Sequence, residues 1–138
     1  MNSRAFILLA ALAALIFGLA SCGRQDKSGP AGPRKAEEGG KAIELRVYPD
    51  PPVALRETEL MAHLSDDGKP LKGAKVSFDL TMPAMYHGEN RPVAAEVDTG
   101  IYTAKAVMPM AGVWLIDVRV EQGGQKFFQK FYVDVKEK

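Results

Sequence analysis

The sequence predicts an all-β domain, and three observations support this fold class. Apolar residues alternate with polar ones in several short segments, which is the two-residue period of a half-buried strand. Turn-forming residues such as Asp67-Gly68 and Gly123-Gly124 separate these segments at regular spacing. Beyond the first 21 residues, no segment shows a helical period. About seven short strands with such turns are typical of an immunoglobulin-like β-sandwich.

The first three predicted strands are the most regular. Their alternating apolar residues are Ile43, Leu45 and Val47; then Leu60, Ala62 and Leu64; then Val76, Phe78, Leu80 and Met82. The first connection is proline-rich, and the second has the turn sequence SDDGKP at 65–70. We therefore expect strands at 43–47, about 55–64 and 76–82.

Four further strands complete the predicted sandwich. A weaker pattern covers 93–97 and ends at the Asp98-Thr99-Gly100 turn, and the other strands are expected at 101–108, 114–120 and 127–135. Trp114 begins the sixth strand. Its side chain is expected to fill the core between the sheets, in the place that a disulfide occupies in antibody domains.

The first 22 residues resemble the signal segment of bacterial lipoproteins. Arg4 provides the positive charge, and the apolar stretch 5–18 is shorter than the about 20 residues that a membrane-spanning helix needs. Leu19-Ala20-Ser21-Cys22 then resembles a lipobox. This pattern predicts a signal peptide at 1–21 and a lipidated Cys22 that anchors the protein to a membrane. The alternative is an ordinary secretory signal followed by a cysteine by chance.

The same segment predicts where the protein resides. A lipidated chain belongs to the cell envelope, on its periplasmic side. In lipoproteins of two-membrane bacteria, an aspartate after the cysteine favours retention at the inner membrane, so Gly23 favours the outer membrane. Cys22 is the only cysteine, and its acylation leaves no thiol for a disulfide or a thiolate metal site.

A linker is predicted between the anchor and the folded domain. Residues 22–41 are rich in glycine, proline and charge, and they lack the large apolar side chains that would offset the entropy of ordering. The folded domain is then expected at 42–136. The chain has 18 basic and 17 acidic side chains, and loss of Arg4 with the signal peptide makes these numbers equal. This balance argues against a nucleic-acid partner.

Two methionine-rich loops form the candidate functional site. One follows the third predicted strand and the other follows the fifth. Because neighbouring strands in a sandwich mostly run antiparallel, these two strands point the same way and end at the same pole. Thioethers together with an imidazole select Cu(I) over harder ions. The sequence therefore predicts a Cu(I) site with the ligands Met82, Met85, His87, Met108 and Met110.

A structural role is the alternative for these methionines. Flexible thioethers at strand ends often fill gaps in a hydrophobic core. On that interpretation Met82 and Met108 belong to the core, Met85 and Met110 pack the loops, and His87 is solvated. The other histidine, His63, is expected to point to solvent from the second strand, away from the proposed site.

Four segments in a fixed order carry a resemblance to a known family. They are GKPLKGAKV at 68–76, MPAMYHG at 82–88, GIY at 100–102 and MPMAGVW at 108–114. With them, residues 68–135 resemble the YtkA-like/FixH-like family of extracytoplasmic β-sandwich domains. The resemblance implies a copper-related role, near efflux systems or cytochrome oxidase assembly.

Two functions remain open from the sequence. The first is a membrane-tethered lipoprotein that binds Cu(I) and hands copper to a copper-handling or envelope protein. The second is an immunoglobulin-like interaction module that binds no metal and docks on a membrane complex, through the methionine loops or through Phe128 and Tyr132. An enzyme is not expected, because the sequence shows no recognisable motif around a catalytic Ser-His-Asp triad and no glycine-rich phosphate-binding loop.

Overall fold

The computed structural model describes residues 32–86 and 88–138. These residues form strands and turns and contain no helix, which confirms the predicted all-β class. None of them forms a segment long and apolar enough to cross a membrane as a helix. Within the described ranges the strands are β1 (Arg34–Glu38), β2 (Lys41–Tyr48), β3 (Glu57–Asp66), β4 (Lys69–Pro70), β5 (Lys75–Thr81), β6 (Ala95–Asp98), β7 (Ile101–Val107), β8 (Gly112–Gln122) and β9 (Gln125–Val135).

The strands form two antiparallel sheets, which confirms the predicted sandwich. The larger sheet has the order β1-β2-β3-β7-β6, with the short β4 paired to β3. The smaller sheet has the order β5-β8-β9. Strands such as β2, β3 and β5 bury alternate residues, so one face of each sheet contributes to a shared core.

The core lies between the two sheets and matches the inward positions of the predicted strands. Its fully buried members include Ile43, Leu45, Leu60, Ala62, Phe78, Leu80, Ile116 and Val118. Trp114 is also a core residue, as expected, with 1% of its surface exposed. Its indole Nε1 donates a hydrogen bond to the carbonyl oxygen of Met110 at 3.0 Å. The core is therefore joined directly to one of the methionine loops.

Strand β1 lies inside the segment that the sequence predicts as a linker. Residues 34–38 pair with residues 41–45 of β2 through a turn at Gly39 and Gly40, both at positive φ. The polar composition suggests a linker, but an edge strand needs few buried side chains because backbone pairing stabilises it. Ala36 also packs against the core. Of the predicted linker 22–41, residues 22–31 lie outside the described residues, as do the predicted signal peptide 1–21 and Cys22.

The weak fourth predicted strand is divided between the two sheets. Residues 90–94 run along the edge of β5, where Phe78 donates to the carbonyl of Pro92 and Ala94 donates to that of Val76. The chain then crosses to the larger sheet as β6, which pairs with β7 and is exposed along its length. The crossing explains the weak alternation, because neither half buries a regular set of side chains.

Tyr102, on β7, stabilises the turn between β4 and β5 through its hydroxyl group. It is 1% exposed, its hydroxyl donates to the carbonyl of Leu71 at 2.8 Å, and it accepts the N–H of Ala74 at 3.0 Å. Burial raises the pKa of the phenol, so the hydroxyl keeps its proton at neutral pH.

Replacement of Tyr102 by phenylalanine is expected to lower the free energy of unfolding by about 1–3 kcal/mol. The variant leaves the carbonyl of Leu71 and the N–H of Ala74 without this partner but retains the ring packing. Urea unfolding measures the loss. Tyr86→Phe is the matched control, because Tyr86 is 84% exposed. An equal effect of the two variants would contradict the assigned role of Tyr102.

Candidate functional site

The two methionine loops lie at one pole of the sandwich, as the strand directions predict. The side chain of Asn90, after β5, donates to the carbonyl of Val107 at the end of β7. The loop between β2 and β3 joins them, because the N–H of Leu55 donates to the carbonyl of Met108 at 2.9 Å. We call this end of the molecule the methionine pole and define it by residues 48–56, 82–86, 88–90 and 107–112.

A cavity of about 530 Å³ lies at the methionine pole. Trp114 and Leu80 contribute from the core, and Pro109 contributes from the loop after β7. Most of the remaining lining comes from the loop after β5, including Met82, Pro83, Met85 and Tyr86. The cavity thus joins the buried core to the exposed loops.

Met82 and Met85 are the two predicted ligands that the structure places on this cavity. They flank a tight turn in which the N–H of Met85 donates to the carbonyl of Met82 at 3.0 Å. Met82 is half-buried and packs against the core, and Met85 is 53% exposed. A Cβ added to Gly112 would lie 2.6 Å from the Cε of Met82. The Met82 side chain therefore reaches across to the first residue of β8.

Met108 and Met110 occupy different environments, and neither lines the cavity. Met108 is 0% exposed and belongs to the hydrophobic core, where it continues the inward alternation of Ala106. Met110 is 39% exposed, and its carbonyl accepts the Trp114 bond. The position of Met108 corresponds to the structural alternative, so we omit it from the ligand set proposed below.

His87 lies outside the described residues, as does Cys22. Across residues 32–86 and 88–138, no three His, Cys, Asp or Glu side chains come together in a group that could hold a metal ion. The described part of the methionine pole presents the thioethers of Met82, Met85 and Met110. It also contains two carboxylates: Glu89 lines the cavity, and Asp50 is paired with Arg34. Thioethers are uncharged, soft donors of the kind that Cu(I) and Ag(I) prefer, whereas carboxylates suit harder cations.

Sequence reasoning did not identify a second methionine–histidine pair. On the outer face of β3, the Nε2 of His63 lies 3.2 Å from the Sδ of Met61. Both side chains are partly exposed, and His63 points away from the core as predicted. The signal was available, because residues two apart on a strand share a face. The contact is a hydrogen bond when Nε2 carries the proton. When Nε2 carries none, the pair offers two potential metal ligands, a soft thioether and a borderline imidazole.

The proposed alternative surface on β9 is only partly exposed. Phe128 is 57% exposed, with the Lys130 ammonium 5.7 Å from its ring centroid, and Tyr132 is half-buried. Phe128 is the one large apolar side chain exposed on β9, whereas several are exposed at the methionine pole.

Comparison with known proteins gives one match. A family model described as YtkA-like matches residues 37–119, which is more than half of the chain. The matched region runs from the end of β1 into β8 and contains both methionine loops. The comparisons with curated proteins and with solved structures gave no match.

Proposed function

The chain belongs to the YtkA-like family, and from that premise we propose that it is a membrane-tethered, extracytoplasmic lipoprotein that binds Cu(I) at the methionine pole. One observation carries the proposal: Met82 and Met85 line the same cavity, one half-buried and the other exposed. A ligand pair of this kind holds a cation at the surface, where a partner protein can reach it.

The proposed ligand set is Met82, Met85, His87 and Met110. Met85 and Met110 are exposed on the two loops of the pole, and His87 follows Met85 by two residues. A thioether carries no acidic proton, so metal binding by the methionines does not depend on pH. The imidazole of His87 binds only in its neutral form.

The lipid anchor at Cys22 is supported by the signal-like sequence that precedes it. It would hold the domain at the periplasmic side of a membrane, with the outer membrane favoured in a two-membraned organism. There the protein would pass copper to a copper-handling or envelope protein. We propose no catalytic role and no cofactor other than Cu(I).

Replacement of Met85 by leucine is expected to weaken Cu(I) binding at least tenfold, or about 1.4 kcal/mol in binding free energy. Leucine has a similar volume but no sulfur. Because Met85 is 53% exposed, the free energy of unfolding should change by less than about 0.5 kcal/mol. Competition of the full chain with a chromophoric Cu(I) chelator measures the affinity, and thermal unfolding measures the stability.

The controls for this experiment come from the same chain. Met61→Leu removes a methionine on the outer face of β3 and should leave the affinity unchanged, whereas His87→Ala should weaken it. If Met61→Leu lost binding and Met85→Leu did not, the Cu(I) site would be assigned to the Met61–His63 pair instead. Unchanged affinity in both Met85→Leu and His87→Ala would contradict a site at the methionine pole.

An interaction module without metal is the second candidate function. It is favoured by the exposure of Tyr86 and Met85 beside an apolar cavity, since such rims are common at protein contacts. In that case a membrane complex, of the efflux or oxidase-assembly type, would be the partner. Crosslinking to it would then persist when a strong Cu(I) chelator is present.

A further inference from the structure

Exposed apolar side chains are concentrated at the methionine pole. In the described part of the chain, nine large apolar side chains are exposed, and six of them belong to this pole. The six are Tyr48, Leu55, Met85, Tyr86, Val107 and Met110. Single exposed apolar residues are ordinary, but their collection at one end of a domain indicates a contact surface.

The chain also enters the fold at this pole. The N–H of Gly32 and the guanidinium of Arg34 both bind the carboxylate of Asp50, which lies in the loop between β2 and β3. The Arg34 and Asp50 side chains are only 8% and 16% exposed. This nearly buried ion pair fixes the point at which the segment from Cys22 reaches the domain.

The length of that segment limits how far the pole can lie from a membrane. Gly32 lies ten positions after Cys22, and ten extended steps of the chain span at most about 35 Å. The 11 residues of β9 run along the domain for a similar distance, about 37 Å. Because the connection is no longer than the domain, the entry pole lies within about one domain length of the bilayer.

We infer that the methionine pole rests on the lipid bilayer, with its exposed apolar side chains among the headgroups. This inference depends on the proposed lipid anchor at Cys22 but not on Cu(I) binding. The chemistry fits a lipid surface, because Tyr48 and Tyr86 are amphipathic side chains of the kind enriched at membrane interfaces. Leu55 and Met85 supply apolar area, and the exposed Arg56 suits anionic headgroups.

The orientation deepens the proposed function. It turns the cavity lined by Met82 and Met85 toward the membrane rather than toward the periplasm. A cation held there is then positioned for exchange with a membrane-embedded partner and shielded from soluble ones.

The test uses the full lipidated chain in vesicles of phosphatidylcholine and phosphatidylglycerol that carry a fluorescence quencher on the lipid. Tyr86→Cys and Tyr48→Cys each place one fluorophore at the methionine pole, because an acylated Cys22 has no free thiol. Val97→Cys is the matched control, since Val97 is 60% exposed on β6 near the turn at the opposite end. We expect lipid quenching at positions 48 and 86 to exceed that at position 97 at least threefold.

Three outcomes would overturn the inference. Equal quenching at all three positions would show that the domain has no fixed orientation. Quenching at the pole that appears only after membrane proteins are added would assign the surface to a protein partner. If the unlabelled chain and its Cys22→Ser variant both failed to float with vesicles, that result would contradict the proposed lipid anchor, on which the inference depends. The Cu(I) titration is independent of all three, so failure of the orientation and failure of metal binding are distinguishable.

Discussion

Replacement of Trp114 by alanine is expected to lower the free energy of unfolding by about 3–5 kcal/mol and to deform the methionine pole. Trp114 is 1% exposed, and it is the largest fully buried side chain among the described residues. It lies between the core and the cavity that Met82 and Met85 line, so its loss leaves a void directly beneath the candidate site. Urea unfolding followed by far-UV circular dichroism measures the effect.

Trp114→Phe separates packing from hydrogen bonding in this position. Phenylalanine retains an aromatic ring in the core but removes the indole donor to the Met110 carbonyl. The carbonyl can still find water because Met110 is partly exposed, so we expect a hydrogen-bond loss of about 1 kcal/mol, with a smaller packing loss added. A loss below about 1 kcal/mol in Trp114→Ala would contradict the assignment of this residue to the core.

Gly100→Ala is expected to lower the free energy of unfolding by about 2–5 kcal/mol, combining backbone strain with overpacking. Gly100 has a φ of +74°, in the left-handed region that side chains disfavour. An added Cβ would lie 2.9 Å from the carbonyl oxygen of Leu64 and 2.9 Å from the Cβ of Pro70. Leu64 is fixed there, because its carbonyl accepts the N–H of Leu71 and its N–H donates to Gly100.

Gly124→Ala is the matched control for the close contact. Its φ is +77°, almost equal to that of Gly100, but a Cβ there would meet nothing within 4 Å. This variant should lose only the about 1–2 kcal/mol of the left-handed conformation. The difference between the two variants isolates the contact with Leu64 and Pro70. Equal losses would show that backbone conformation alone accounts for the effect at Gly100.

The fold was predictable from the sequence where strands bury one face. Ile43 to Val47 and Val76 to Leu80 alternate strictly, because each has one side on the core and one side in solvent. β1 was not predictable in this way. Its residues are mostly polar, and it is held by backbone pairing with β2, which leaves no trace in side-chain alternation.

The candidate site was predictable in its location but only partly in its members. Strand direction was enough to bring the loops after β5 and β7 to one pole. The burial of Met108 also follows from the two-residue period of a strand, since Met108 lies two residues beyond the inward-facing Ala106. Met85, by contrast, comes at the end of a turn where this alternation has stopped. The predicted ligand set included all four methionines, and only its structural alternative separated Met108 in the core from Met85 in a loop. Their different environments arise from the path of each loop after its strand ends.

The crossing of residues 90–94 along β5 has a consequence for how copies of this protein meet. The lipid anchor proposed above would hold copies of the protein in one plane, where their local concentration is high and their flanks collide repeatedly. An open strand edge would then act as a template for intermolecular pairing. The hydrogen bonds from Phe78, Leu80 and the crossing segment already use the β5 edge. The opposite edge of that sheet, β9, carries Lys126 and Lys130, which repel a second copy of the same strand. Both edges of the small sheet are thereby protected against edge-to-edge pairing between copies of the protein.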